Sequence, residues 1–163
     1  MQRGDFLRSV SVILSLILVL ILAFCAFFYT GGTLQASVSS IRASAAEYPE
    51  AFSSIQSVLS SGTAPQVFST DPLEDPSGYA LVDISIALTN RGLFDAEWLN
   101  VQVEGASGDI AVYSLSGDGS DVLKRSTGDL NLKLITRAPE TAARNIRIQY
   151  YVYGISRSIS IPA

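Results

Sequence analysis

The chain has 163 residues, a net charge of -4, no histidine and a single cysteine, Cys25. Lacking imidazole, and with its one thiol inside an apolar run, it offers no Ser-His or Cys-His nucleophile pair, no thiolate or imidazole metal site and no internal disulfide. The acidic balance disfavours nucleic acid or an anionic membrane surface as the main target.

Residues 1–8 form a short tail carrying Arg3 and Arg8, and residues 9–29 follow without a charge, a glycine or a proline. At 1.5 Å per residue, about 20 apolar residues span a hydrocarbon core of roughly 30 Å, so this run predicts a transmembrane helix. A cleaved signal peptide is its competitor, but such a core has about 7 to 15 apolar residues and ends at an Ala-x-Ala-like site. Here the run passes through Phe27, Phe28 and Tyr29 into Gly31-Gly32-Thr33, and Leu34-Gln35-Ala36 is a poor cleavage site. Leu22-Ala23-Phe24-Cys25 resembles a bacterial lipoprotein signal, with Phe24 standing where that pattern requires a small residue. An uncleaved anchor is the expectation. Arg3 and Arg8 keep the N-terminus cytoplasmic, the rest becomes extracytoplasmic, and Tyr29 with Phe27 and Phe28 supplies an interfacial aromatic belt. Cys25 reads as a buried structural thiol, against palmitoylation or a covalent dimer.

From 33 to 60, Leu34, Val38, Ile41, Ala45, Tyr48, Phe52, Ile55 and Leu59 recur at spacings of four and three, the pattern of one helix face. Pro49 divides the run, because proline suits a helix start and disfavours helix for its predecessor. The expectation is a helical stalk interrupted near Pro49. Its seam of Leu34, Val38, Ile41, Phe52, Ile55 and Leu59 packs either on the protein's own domain or on a second copy. Residues 61–78, rich in Ser, Pro, Gly and Asp, read as a linker.

From Tyr79 the period becomes two. Val82, Ile84, Ile86 and Leu88 alternate with polar residues up to Asn90-Arg91-Gly92, and further apolar faces follow at 99–103, 110–115, 121–125, 130–134, 146–152 and 155–161. These seven short strands predict that 79–163 is an antiparallel, immunoglobulin-like two-sheet β-sandwich, giving a mainly β chain with an N-terminal anchor. Carboxylates crowd the region 71–129, while Lys133, Arg137, Arg144, Arg147 and Arg157 lie beyond it. This asymmetry supports either head-to-tail association or strands whose charges interleave.

The run from Val82 to Phe94, followed by Trp98-Leu99-Asn100-Val101-Gln102-Val103, resembles two membrane-tethered sandwich families. One is the late-embryogenesis-abundant type domain linked to water stress; the other is the cell-adhesion-related bacterial and archaeal domain. The resemblance covers residues 79 to about 104 and implies an interaction or scaffolding module without catalysis, with Asn90 and Gly92 as structural turn positions. Separately, Arg3-Gly4 before a hydrophobic helix and a β-rich head resembles archaeal type IV pilins and archaellum-associated proteins. Asp5 and Arg8 depart from the apolar run of that family, and Ser9 stands where bacterial pilins commonly have Glu.

Three features bear on ligands. Ser116-Gly117-Asp118-Gly119-Ser120-Asp121 places carboxylates in a glycine-rich loop, read as a solvated hairpin or a calcium loop lacking its later Glu. Trp98, Arg147, Tyr151 and Tyr153 form a candidate interaction patch, or cross-strand packing. Asp95 and Glu97 have no partner base for acid-base work. The sequence therefore points to a non-enzymatic, extracytoplasmic binding or scaffolding module needing no cofactor or small-molecule substrate. Its partners are the lipid bilayer and an envelope protein or a second copy. The alternative is an accessory subunit of a membrane or filament assembly, held through its N-terminal helices.

Overall fold

The computed structural model describes residues 3–30, 34–139 and 142–163. In chain order they form α1 (Arg3–Thr30), β1 (Leu34–Ser44), a 3-10 turn (Ala45–Glu47), α2 (Pro49–Ser60), β2 (Gln66–Val67), β3 (Tyr79–Asn90), β4 (Glu97–Glu104), β5 (Asp109–Ser116), β6 (Thr127–Arg137), β7 (Asn145–Val152) and β8 (Ile155–Pro162). The strands make a five-stranded sheet, β1-β3-β6-β5-β2, and a three-stranded sheet, β4-β7-β8, antiparallel at every pairing. This is the expected mainly β, immunoglobulin-like sandwich.

Period-two alternation builds its core, because successive strand side chains point to opposite faces. Ile84, Ile86 and Leu88 of β3 and Leu130, Leu132 and Leu134 of β6 meet Leu99 and Val103 of β4 and Ile146, Ile148 and Tyr150 of β7, all buried. A second cluster lies under α2, where Phe52 and Ile55 pack with Tyr79, Ile110, Ala111 and Ile135. The Phe52 and Tyr79 rings sit 5.7 Å apart. Each such burial contributes about 1.5–3 kcal/mol, which holds α2 on the outer face of the five-stranded sheet at its end far from α1.

The helical stalk is corrected over its first half, and the sheets hold eight strands among the described residues rather than seven. β1 is a strand paired along its whole length with β3, from Leu34 opposite Asn90 to Ser44 opposite Ala80. Its serines are poor helix formers, and an extended chain satisfies the otherwise open edge of β3. Leu34 and Val38 share a parity and face inward, whereas Ile41 falls on the other face and is 74% exposed. Beyond it, α2 does start at Pro49, after Tyr48 in a non-helical conformation. Phe52 and Ile55 are buried and Leu59 partly so; this part of the seam packs on the protein's own domain.

The boundary at 61–78 is docked rather than a free linker. β2 extends the five-stranded sheet along β5, and the Gln66 amide donates to the Val103 carbonyl and accepts from the Val103 N–H. Asp75 accepts from the Ser77 N–H at 3.0 Å, which holds its carboxyl below the usual value. The short edge expected at 121–125 reduces to one bridge, Val122 with Ala96.

Candidate functional site

Three chain connections converge at the end of the sandwich where β1 begins: residues 91–96 between β3 and β4, 117–126 between β5 and β6, and the turn between β7 and β8. A buried side chain ties the first two together. The Asn90 amide donates to the Phe94 carbonyl at 2.8 Å and the Val122 carbonyl at 3.0 Å, and its oxygen accepts from the Gly92 N–H at 2.9 Å. Asn90 therefore works through its side chain. Neither it nor Gly92 has a positive φ, and β3 and β4 lie in different sheets, so 90–92 is a crossover and not a hairpin turn.

The loop 117–126 is zipped against β4. Asp118 accepts from the Val101 N–H and Asp121 from the Trp98 N–H, both at 2.9 Å, while Asp95 accepts from the Lys124 N–H. Carboxylates expected either to be solvated or to hold calcium thus cap backbone donors. Among the described residues, no three His, Cys, Asp or Glu side chains gather as a metal cluster.

Trp98, Arg125 and Tyr153 adopt φ of 54°, 56° and 53°. The left-handed region is disfavoured for bulky residues, and all three positions lie at this end and project exposed side chains. Trp98 is 72% and Tyr153 62% exposed. Leu93, Leu123 and Ile155 are exposed beside them. The Phe94 ring meets Tyr153 at 4.4 Å and Phe27 of α1 at 6.1 Å, edge-on in both cases. A shallow cavity of about 240 Å³ lies among Leu93, Phe94, Asp95, Glu97, Lys124 and Tyr153.

The four residues singled out in the sequence separate. Arg147 pairs with Glu104 at 3.3 Å, both about half exposed, a surface pair worth at most about 1 kcal/mol. It lies four residues from Tyr151, about 13 Å along the strand. Tyr151 stands opposite Glu97, next to Trp98, and Tyr153 turns toward Phe94. The patch therefore gains Leu93, Phe94 and Leu123 and loses Arg147. The missed signal is an apolar Leu-Phe pair placed directly after an Asn-x-Gly turn, where solvated residues are the rule.

At the opposite end, buried Asp109 accepts from the Arg144 guanidinium through both oxygens, at 3.0 Å and 2.8 Å from Nε, and also from the Ala106 N–H. This pair locks the start of β5 to the start of β7. Burial, then Asp83, pushes the Tyr113 phenol up.

One further surface is the outer edge of β1, an eleven-residue strand whose only neighbour strand in its sheet, among the described residues, is β3. Upstream, Arg8–Phe27 is a helical stretch of 20 residues with mean hydropathy 3.1, long and apolar enough to cross a membrane. Cys25 is exposed on it. The side chains of Arg3, Phe28 and Tyr29 lie outside the described residues.

No protein-family model and no curated protein matches the chain. Among solved structures it is similar to the GAE domain of yeast GGA1, with TM-score 0.42 and 11% identity over 56% of this chain and 82% of that one. It is also similar to a FixG-related protein from Vibrio parahaemolyticus, with TM-score 0.34 and 14% identity over 78% and 93%. Likenesses at these scores carry no argument, and the fold rests on its own strand order.

Proposed function

We propose that the chain is a single-pass, membrane-anchored extracytoplasmic binding module that holds an envelope or surface protein by adding a strand to the edge of β1. The observation that carries this reading is the edge itself. The strand Leu34–Ser44 has β3 as its one strand neighbour among the described residues, with the Leu34 N–H turned to the Tyr150 hydroxyl at 3.3 Å, and it contains no proline and a single charge, Arg42. Natural edges are commonly blunted by charge, proline or bulges, and an edge whose one such device is Arg42 near its far end leaves its first eight residues suited to an extended partner segment. The apolar span supports anchoring, and Arg3 and Arg8 ahead of it support a cytoplasmic N-terminus. Non-catalytic holding fits the resemblance to tethered sandwich families. The alternative, a subunit of a filament or membrane assembly, keeps α1 as its contact but loses the α2 seam, since Phe52 and Ile55 are buried in the domain itself.

Photocrosslinking in native membranes tests this. A photoreactive side chain at Ser39 or Ile41 is expected to trap a protein, and Ile41→Lys to abolish the product while leaving stability within about 0.5 kcal/mol, as for an exposed site. Crosslinks confined to α1 positions would overturn the reading in favour of assembly through the helix. Anchoring has its own readout: an impermeant maleimide should modify Cys25 only after the membrane is dissolved.

A further inference from the structure

The rim of exposed apolar side chains at the α1 end of the sandwich remains without a role in strand addition. We infer that this end rests on the lipid headgroup layer of the same bilayer that α1 crosses, with Leu93, Trp98, Leu123, Tyr153 and Ile155 as the exposed contact set and half-buried Phe94 linking it to Phe27. The inference rests on the anchoring reading above.

Chain connectivity limits where this end can go. Three residues separate Thr30, the end of α1, from Leu34, the start of β1, and such a link reaches at most about 14 Å. Leu34 is buried opposite Asn90, the residue that clamps the loops carrying the rim. Ring contacts narrow the distance further. Phe27 closes the apolar span, and the rings of Phe94 and then Tyr153 follow it at steps of 6.1 Å and 4.4 Å. The headgroup layer on each side of the hydrocarbon is roughly 5–8 Å thick, so rings two contacts away from the boundary stand within or just above it.

Side-chain chemistry matches that layer. Trp and Tyr favour membrane interfaces because an apolar ring and a polar tip are both satisfied there. The positive φ of Trp98 and Tyr153 belongs to the local chain path, a register shift of β4 at Trp98 and the two-residue turn with Gly154 at Tyr153, and the sandwich leaves most of both side chains uncovered even where Tyr153 meets Phe94. A bilayer supplies what the sandwich does not. Arg91, Lys124 and Arg125 are exposed at the same end and form no ion pair among the described residues, which leaves them to reach lipid phosphates. Glu97, Asp95, Asp118 and Asp121 are there too, so the rings, rather than net charge, drive the contact, and zwitterionic lipid suffices.

The chain contains one tryptophan, Trp98, so its emission reports one site. The full chain is reconstituted into phosphatidylcholine vesicles with and without lipid brominated near the headgroup end of its chains. Interfacial placement predicts at least about twofold lower Trp98 emission with brominated lipid. The double variant Trp98→Phe/Tyr153→Trp should be quenched as strongly. Trp98→Phe/Tyr48→Trp, with its reporter at the far end, should be unquenched. Protein that floats with the vesicles but shows no quenching at positions 98 and 153 would overturn the headgroup contact and leave anchoring intact. Equal quenching at position 48 would overturn the end-on placement. Failure to float with the vesicles would overturn both anchoring and contact. Because the vesicles contain no other protein, quenching in them also excludes a protein as the required cover of the rim.

Discussion

Replacing Asn90 by alanine removes the buried side chain that joins the β3–β4 and β5–β6 connections, leaving the Asp95 carboxylate on the Lys124 N–H as a side-chain link between them. Three hydrogen bonds are lost, to Gly92, Phe94 and Val122. Their costs differ. The Val122 carbonyl keeps the Ala96 N–H, so its loss is that of an ordinary hydrogen bond, about 0.5–1.5 kcal/mol. The Gly92 N–H is buried and is left as an orphan donor, for about 1–3 kcal/mol. Together with the Phe94 bond, the expected loss is about 2–4 kcal/mol, or roughly 10 °C in Tm for a domain of this size. The full chain in detergent micelles, melted by Trp98 fluorescence and near-UV circular dichroism against an exposed control such as Ser37→Ala, provides the measurement. Amide exchange should accelerate in residues 91–96 and 117–126 well before the strands. A loss below about 0.5 kcal/mol, or a loss with both loops still protected, would refute the clamp.

Arg144→Met leaves Asp109 charged and buried, and chemical denaturation should show a loss of about 3–5 kcal/mol, only partly restored by lysine, which lacks the planar fork. Gly117→Ala and Gly154→Ala both place a side chain at a positive φ, 86° and 70°, but only the first forces a Cβ to 2.6 Å from the Asp129 oxygen and Leu130. Thermal melts should show about 1 kcal/mol for Gly154 and distinctly more for Gly117, and equal losses would be contrary evidence. Phe52→Ala should cost about 3–5 kcal/mol through the cavity left against Tyr79 and Ile135. Limited proteolysis should then cut within α2 first.

The strands from Tyr79 onward are legible because each carries its own period-two pattern and a turn signal at its end. β1 is not, since Leu34 and Val38 satisfy both a helical and an extended period, and only the pairing with the distant strand β3, Leu34 with Asn90 and Val38 with Ile86, decides between them. Ile41 is the residue that exposes the conflict: a helical seam would bury it, and the strand leaves it in solvent. The docked segment 61–78 looks like a linker because its attachments are scattered and follow no period: a two-residue strand, the Gln66 side chain, the Asp71–Arg137 pair, and Phe68 and Leu73 against the two core clusters. In the candidate site, Trp98 stands out as the only tryptophan of the sequence and Tyr153 as the last member of the cluster Tyr150, Tyr151 and Tyr153. Leu93, Phe94 and Leu123 become visible only when three separate loops are brought to one end. Arg147 shares a strand with Tyr151, but pairing with Glu104 takes it out of the group.

The direction of β1 bears on how the molecule carries load. Its first residue lies at the α1 end and its last at the far end, and eleven residue pairs join it to β3 in an unbroken register. A pull between α1 and a body gripped at the far end therefore acts along the strand axis. The β1–β3 ladder is loaded in shear, with its hydrogen bonds strained together rather than peeled one after another. Rupture under such a pull requires the whole strand to slide at once, which gives this first strand a high mechanical threshold.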